Sequence, residues 1–411
     1  MPADLLPVNE ALAIIAGAFR PLPAEIVSIE RTFGRVLAED VAARLTHPPT
    51  NVSAMDGYAV RAADVEHVPA SLRVIGRSSA GSGFSGTLGA GEAVRIFTGA
   101  PVPPGADTIV IQEQAEERDG RVVVGTRTAR DRHIRTAGLD FARGDVVLRA
   151  GRRLTARDVA LAAAMNVPWL AVRRKPRVAV LATGDEVVMP GEPVGPDQIV
   201  SSVTFALIGM LNGFGAEPVS LGIARDDPSE LARHLEAARD CDLLLTIGGA
   251  SVGEFDLVRR AFAAPGARQR FGKVAMRPGK PLIFGHLGDL GDLPVMALPG
   301  NPVSACVALT LFGQAAIAAM LGLDRSATPS TTARLGCALP ANGERQDYLR
   351  ATLSRNADGE LVAIPFALQD SSMLRTLAAA DCLIVRPPDA PPAAEGSRVA
   401  IIALDGSLIA G

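Results

Sequence analysis

Apolar and polar residues follow different spacings along the chain, and the changes between them divide it into regions. Residues 8–19 carry apolar side chains at helical spacing and end before Pro21, which predicts a helix. From about residue 46 to 137, short β-branched runs alternate with Gly and Pro turns, which predicts a small all-β domain. The runs are 72–75, 93–97, 108–112 and 121–124.

At residues 145–172 the chain is predicted to return to the first domain. A Val-Val-Leu strand is followed by a predicted helix from Thr155 to Met165, with Thr155 as its N-cap and Asp158 at the third helical position. We therefore expect a discontinuous N-terminal domain into which the all-β domain is inserted. The predicted bounds are 1–45 with 138–172 for the first and 46–137 for the insertion.

Strands and helices alternate between residues 173 and 326. The strands are short and continuously apolar, as is typical of strands covered on both faces. This pattern predicts a doubly wound α/β domain built on a parallel sheet. The strands are predicted at 178–182, 218–223, 243–247 and 295–298, and the helices at about 202–212, 229–239, 255–264 and 302–321.

The remaining residues, 327–411, show short strands and no further helix. Turns are predicted at Asn342-Gly343 and Asp358-Gly359. The tail is therefore predicted to be a small β-barrel or sandwich, with the barrel preferred. The fold class is a multidomain α/β plus β protein.

Bulk composition excludes several function classes. The 411 residues are 48% hydrophobic and 21% charged, which indicates a folded chain of several domains, and the net charge of -3 excludes a globally basic nucleic-acid binder. The four cysteines show no zinc or disulfide spacing, and no signal peptide is evident, so we expect a cytoplasmic protein. The apolar run 303–323 contains Cys306 and Gln314, and it is predicted to be a buried helix rather than a membrane span.

Gly-rich or acidic segments follow each predicted strand of the α/β domain. Ligands of open α/β sheets bind outside the carboxyl ends of the strands, so these segments predict one site. Glycine loops and a helix start suit backbone N–H groups that approach a phosphate, and carboxylates suit Mg²⁺. The segments are Thr183-Gly184-Asp185-Glu186, Arg225-Asp226-Asp227, Gly248 to Asp256, and Pro299-Gly300-Asn301-Pro302.

Three cations, Lys273, Arg277 and Lys280, lie close together in sequence and suit an anionic ligand. Each motif also has an ordinary interpretation when taken alone. The Thr183 segment could be a capped turn, the Gly248 run a tight turn, and the cations a solvated surface. The histidines and cysteines are expected to be structural or surface residues.

Six motifs in order resemble one family. SAMDGYAV at 53–60, IFTGAPVPPGAD at 96–107, TGDE at 183–186, GGASVGEFD at 248–256, KVAMRPGKP at 273–281 and LPGNPVSA at 298–305 are similar to hallmarks of the molybdopterin molybdenumtransferases, which include the C-terminal domain of gephyrin. The resemblance spans residues 5 to 411. It implies an elongated four-domain subunit, a homodimer, and one domain with the fold of molybdopterin adenylyltransferases.

The resemblance also implies chemistry. The substrates would be adenylylated molybdopterin and molybdate, with Mg²⁺ as cofactor and AMP as product, and the partners could include a molybdopterin adenylyltransferase and molybdoenzyme maturation proteins. No nucleic acid or membrane is expected as a partner. The implied catalytic residues are Asp56, Thr98, Asp140, Glu186, Asp226 and Asp256, and the metal ligands Asp185, Asp226 and Asp256. The candidate substrate contacts are Gly248, Gly249, Ser251, Gly253, Lys273, Arg277, Pro278, Lys280, Pro299, Gly300, Asn301, Pro302, Ser304, Arg350 and Ser371.

The resemblance further implies that the N-terminal motifs complete the site of the other subunit. Three positions depart from the family pattern: Arg277 where Lys is common, Asp140 in Gly-Leu-Asp-Phe, and Ser201-Ser202 where Ser-Asn is usual. Two alternatives remain: a molybdopterin adenylyltransferase, and a non-catalytic oxyanion or pterin scaffold on the same fold. The sequence does not distinguish molybdate from tungstate as the oxyanion substrate.

Overall fold

The computed structural model describes residues 5–248, 261–262, 266–323 and 331–404. Its contacts divide the chain into two compact units, Ile26–Val172 and the combination of Met1–Glu25 with Arg173–Gly411. The finer division into four domains stays a prediction.

The unit Ile26–Val172 contains a six-stranded sheet, which confirms the predicted all-β region. All neighbouring strands are antiparallel except one central pair, Ala70–Ser78 with Glu92–Ile96. Apolar side chains cover both faces, with Tyr58 and Leu72 in one core and Val94 in the other. In spatial order the strands are Thr108–Ile111, Gly57–Val60, Glu92–Ile96, Ala70–Ser78, Arg121–Val124 and Ala115–Arg118.

The helix Ala156–Ala164 packs in a separate core of this unit. Thr155 is its N-cap, and the side chain of Asp158 bonds back to the Thr155 backbone, which confirms the predicted capping box. Buried Leu37, Leu148 and Leu170 surround the helix. Short elements complete the region: the strands Ala24–Ser28, Val41–Ala42, Val52–Ser53, Ile134–Arg135, Val146–Leu148 and Trp169–Arg173, and the 3-10 turns Ile29–Arg31, Ala62–Val65 and Gln112–Gln114.

The second unit contains the predicted α/β sheet, with one correction. Four strands are parallel, but Pro281–Leu287 and Arg268–Lys273 run antiparallel at one edge. Neither strand is among the four predicted from the sequence. The edge strand begins with three exposed polar residues, Arg268 to Arg270, as suits an edge that must not pair further. Pro281–Leu287 is apolar and largely buried, so exposure does not explain its omission. The spatial order is Glu217–Ala224, Arg177–Thr183, Leu243–Ile247, Leu293–Leu298, Pro281–Leu287 and Arg268–Lys273.

Helices of this unit cover the sheet. The run Pro302–Met320 has a mean hydropathy of 1.8, and 83% of its apolar window is buried, so it is a core helix as predicted. A π turn at Leu309–Gly313 interrupts it. The predicted helix at 255–264 lies mostly outside the described residues; Ala261 and Phe262 are helical. The other helices are Val8–Ala18, Val203–Phe214 and Pro228–Ala237, with a 3-10 turn at Gly288–Leu290 and short strands Val187–Val188 and Ile199–Val200.

The C-terminal strands close into a five-stranded barrel, which settles the choice between barrel and sandwich. A further short strand, Met276–Arg277, pairs with the first two residues of Gln346–Arg355. The expectation of no helix after residue 325 is wrong, because Leu374–Ala378 forms one. Its five residues are too few to show a helical period. In closing order the barrel strands are Gln346–Arg355, Leu361–Pro365, Thr331–Leu335, Arg398–Ala403 and Cys382–Arg386.

Candidate functional site

The strand Arg177–Thr183 lies where the order of the parallel strands reverses. The next strand in sequence, Glu217–Ala224, pairs on one side of it, and the one after, Leu243–Ile247, pairs on the other. Such a reversal leaves a crevice at the carboxyl ends of the two inner strands, where ligands of open α/β folds bind. The crevice between Arg177–Thr183 and Leu243–Ile247 is therefore the candidate site.

Backbone atoms crowd this crevice. Gly248 has a φ of +90°, and a Cβ on it would lie 3.1 Å from the carbonyl oxygen of Thr183. A Cβ on Gly300 would lie 3.8 Å from the Cα of Gly248. The loops after three strands thus converge, and glycine at 248 allows both the conformation and the close approach.

Asp185, Glu186 and Asp226 form an acidic corner at the same edge. The backbone N–H of Asp226 donates to Oδ1 of Asp185 at 3.1 Å. Partial burial, and then the charges of Asp185 and Glu186, raise the pKa of Asp226 above its usual value. A cation at this corner would relieve that repulsion.

A magnesium ion fits the acidic corner only if the substrate supplies further ligands. Within the described ranges no three His, Cys, Asp or Glu residues form a metal-binding group. Mg²⁺ is commonly held by one or two carboxylates together with substrate phosphates, which agrees with the chemistry of Asp185 and Asp226.

Arg225 also belongs to this edge, and the sequence patterns did not single it out. Its Nη1 donates to the backbone carbonyl of Asp185 at 2.8 Å, while its backbone N–H donates to Glu230. The signal was present in the sequence, because Arg225 lies two positions after the predicted strand 218–223.

The Pro299-Gly300-Asn301-Pro302 segment is joined to Ser371 of the barrel region. Nδ2 of Asn301 donates to Oγ of Ser371 at 3.1 Å, and the N–H of Val303 donates to the Ser371 carbonyl at 3.1 Å. One of the helix-start N–H groups expected to face an anion is thus occupied. Pro299 and Ser304 are buried, and Asn301 is exposed.

Arg350 is 1% exposed and holds the loop that carries Ser371. Its Nε donates to Oε1 of Gln369 at 3.2 Å and its Nη1 to the carbonyl of Met373 at 3.4 Å. Burial lowers the pKa of Arg350 below its usual value. The side chain of Arg350 therefore stabilises the loop formed by residues 369–373.

Arg277 is paired with Asp347, a residue that the sequence did not identify. Its Nε donates to one carboxylate oxygen at 2.9 Å and its Nη2 to the other. Asp347 is 3% exposed, and the hydrogen bond to it raises the pKa of Arg277. The nearby Lys280 is exposed and Lys273 half-buried.

The turn Pro278-Gly279 sits against the start of the long helix. Gly279 has a φ of +106°, and a Cβ on it would lie 3.6 Å from the carbonyl of Ser304. The structure therefore brings the 273–281 motif next to the 298–305 motif.

In the unit Ile26–Val172, Asp56 and Thr98 meet. The N–H and the hydroxyl of Thr98 both donate to Oδ1 of Asp56 at 2.8 Å. These bonds lower the pKa of Asp56, the backbone bond most. Asp140 is exposed, and its N–H donates to the carbonyl of His47.

Four predicted site residues, Gly249, Ser251, Gly253 and Asp256, lie outside the described residues.

Three family models match successive parts of the chain. They are described as the MoeA N-terminal region (domain I and II), matching residues 6–166, the probable molybdopterin binding domain, matching 179–319, and the MoeA C-terminal region (domain IV), matching 332–404.

Curated relatives are similar over most of the chain. Molybdopterin molybdenumtransferase 2 of Mycobacterium tuberculosis is 34% identical over 96% of this chain and 98% of its own. The molybdopterin molybdenumtransferase of Haemophilus influenzae is 33% identical over 93% and 94%, respectively. A crystal structure of the molybdopterin biosynthesis moeA protein from Pyrococcus horikoshii OT3 superposes with a TM-score of 0.83 at 28% identity, covering 97% of this chain and 99% of that one.

Proposed function

Because this chain belongs to the molybdopterin molybdenumtransferase family, we propose that it inserts molybdate into adenylylated molybdopterin and releases AMP. The observation that carries the proposal is the convergence of the Thr183, Gly248 and Gly300 backbones at the strand reversal, beside the acidic corner of Asp185 and Asp226. Close backbone approach suits a phosphate, and carboxylates suit its metal ion.

The main physical obstacle is repulsion between anions. Molybdate must approach a substrate that already carries a pyrophosphate linkage, so fixed positive groups are needed before reaction begins. Lys273, Lys280 and Arg225 are the cations we assign to this task, together with backbone N–H groups of the glycine loops. Donors that are already oriented need no reorganisation as charge shifts, which is how such sites lower barriers.

We assign Mg²⁺ to Asp185 and Asp226, with Asp256 as a third ligand. When bound, the ion would polarise the pyrophosphate linkage. Glu186 lies in the same acidic corner, and we assign it a catalytic role. The role of the protein side chains is to hold the linkage and molybdate in register within the crevice.

We further propose a cytoplasmic homodimer in which Asp56, Thr98 and Asp140 of one subunit complete the site of the other. The support is that all three are polar loop residues at least partly open to solvent. We assign Pro278, Ser371 and the candidate contacts beside them to the part of the crevice that would bind the pterin and the oxyanion.

The test is an assay of AMP release. Purified protein receives adenylylated molybdopterin, molybdate and Mg²⁺, and both AMP and metal-bearing cofactor are quantified. The proposal requires one AMP for each metal inserted, without ATP. If molybdopterin and ATP instead yield pyrophosphate, the chain is an adenylyltransferase, a reading that the relatives do not favour.

A further inference from the structure

Two arginines lie side by side on the all-β sheet, outside the motifs used above. Arg77 and Arg95 are register partners on the parallel strands Ala70–Ser78 and Glu92–Ile96, so their side chains leave the same face about 5 Å apart at the backbone. Like charges at directly opposed positions destabilise a sheet. Another interaction is therefore needed to offset the repulsion between the two guanidinium groups.

Aromatic rings hold the two arginine side chains in place. The guanidinium carbon of Arg77 lies 4.8 Å from the ring centroid of Phe97, and that of Arg95 lies 5.1 Å from the same centroid. Arg95 also lies 4.9 Å above the ring of Tyr58, its antiparallel register partner. A ring face attracts a cation and restricts its rotation, so both charges are held rather than free to swing.

No carboxylate in the described chain forms an ion pair with either arginine, and the charge of Arg95 acts on Asp56 only as a minor cause of its lowered pKa. Arg95 donates to Oε1 of Gln112 at 2.8 Å and to the carbonyl of Gly57 at 3.4 Å, which are neutral acceptors. The nearby acid Glu117 accepts from the hydroxyl of Tyr58 at 2.6 Å. The arrangement leaves two pre-positioned positive charges with donors unused.

The pair also adjoins the Asp56 loop. Phe97 and Thr98 directly follow the strand that carries Arg95, and Thr98 binds Asp56. A ligand held by the two arginines would thus lie beside a loop already assigned to a function.

We propose that Arg77 and Arg95 form a binding site for one tetrahedral dianion, a phosphate group or molybdate. Arginine suits such an anion because its planar fork donates two parallel hydrogen bonds. Anion binding by this pair and the transfer reaction are separate properties. Either one can therefore be disproved while the other stands.

The test follows the side-chain Nε–Hε signals of Arg77 and Arg95 by NMR in the full chain, assigned with Arg77→Lys and Arg95→Lys. AMP is titrated in one arm and sodium molybdate in the other. In at least one arm both signals should move with a single shared midpoint. A response to AMP alone identifies the phosphate as the ligand, and a response to molybdate alone identifies molybdate.

Arg77→Gln should then raise the midpoint of the Arg95 signal about fivefold, the size expected for one exposed ionic contact. Arg127→Gln, which removes another exposed arginine, one paired with Glu66, is the control and should leave the midpoint unchanged. Signals that stay still in both arms, or an Arg95 midpoint that ignores Arg77→Gln, would overturn the proposal.

Discussion

The carboxylate of Asp56 accepts two hydrogen bonds from Thr98, one from the backbone N–H and one from the hydroxyl, each 2.8 Å long. Both bonds end on the same oxygen, Oδ1. The second oxygen is not used by Thr98 and can face a ligand. Thr98 therefore orients Asp56, and the two residues should act as one unit.

Thr98→Val removes the hydroxyl bond and leaves the backbone bond in place. We expect AMP release to fall about tenfold, because one of two orienting bonds is lost, whereas Asp56→Ala should lower it about a hundredfold or more. The double variant should be no slower than Asp56→Ala alone, which a double-mutant cycle measures. Thr126→Val, at an exposed position, is the control. Additive losses would show that the two residues act separately.

Mixing Asp56→Ala subunits with Glu186→Ala subunits tests the proposed shared site. In a mixed dimer one site would carry both changes and the other neither, so random mixing should restore about a quarter of the wild-type rate. The measurement is AMP release after subunit exchange, with dimer formation checked by native mass spectrometry. Mixed dimers that stay inactive would place both residues in the same subunit's site.

Arg277→Ala removes the partner of the buried Asp347 carboxylate. An unpaired buried acceptor costs about 1–3 kcal/mol, so thermal unfolding should shift to lower temperature. If Arg277 also contacts molybdate through its exposed edge, molybdate binding should weaken roughly ten- to a hundredfold, and Arg277→Lys should recover much of it.

Asp347→Asn separates the two roles of Arg277. It keeps the shape of the partner and removes its charge, so the guanidinium becomes more available to an oxyanion. Molybdate titrations of wild type, Arg277→Ala, Arg277→Lys and Asp347→Asn give the answer. A loss of stability in Arg277→Ala with unchanged molybdate affinity would confine Arg277 to a structural role.

The capping box of Asp158 predicts a pH dependence of stability. Burial raises the pKa of Asp158, but hydrogen bonds from Thr155 and Arg152 outweigh it, so the pKa is lower than usual. A depressed carboxyl pKa stabilises the fold above the unfolded-state pKa, and this contribution is lost as pH falls through the folded-state pKa.

Asp158→Asn should therefore reduce the free energy of unfolding by about 1 kcal/mol near pH 7 and by much less near pH 3. Urea unfolding of both proteins at the two pH values measures the difference. Asp119→Asn, in an exposed turn, is the control. An equal deficit at both pH values would mean that the charge of Asp158 contributes nothing.

The central α/β strands could be predicted because they are largely buried and form nearly continuous apolar runs. The strand Leu243–Ile247 has the predicted bounds, and all five of its residues are buried. The edge strand Arg268–Lys273 has no such pattern, since one side lacks a neighbour and its side chains stay polar. Sequence periodicity reports burial, so it gives no signal for a strand that begins with exposed polar residues.

The candidate site was predictable where glycine or acid follows a strand, as at Gly248 and Asp226. Partners distant in sequence were not predictable. Asp347 is 70 positions from Arg277, and Arg77 and Arg95 become neighbours only through strand register. Such pairs carry no local motif, because the contact is made by the tertiary fold.

The most direct test of the central claim is a crystal of the protein soaked with AMP and molybdate. Molybdenum gives an anomalous signal that locates it without ambiguity. We expect both ligands in one crevice, with the AMP phosphate against the backbone of Gly248 and Gly300 and molybdenum beside it. AMP and molybdenum bound in separate places, with neither at the strand reversal, would contradict it.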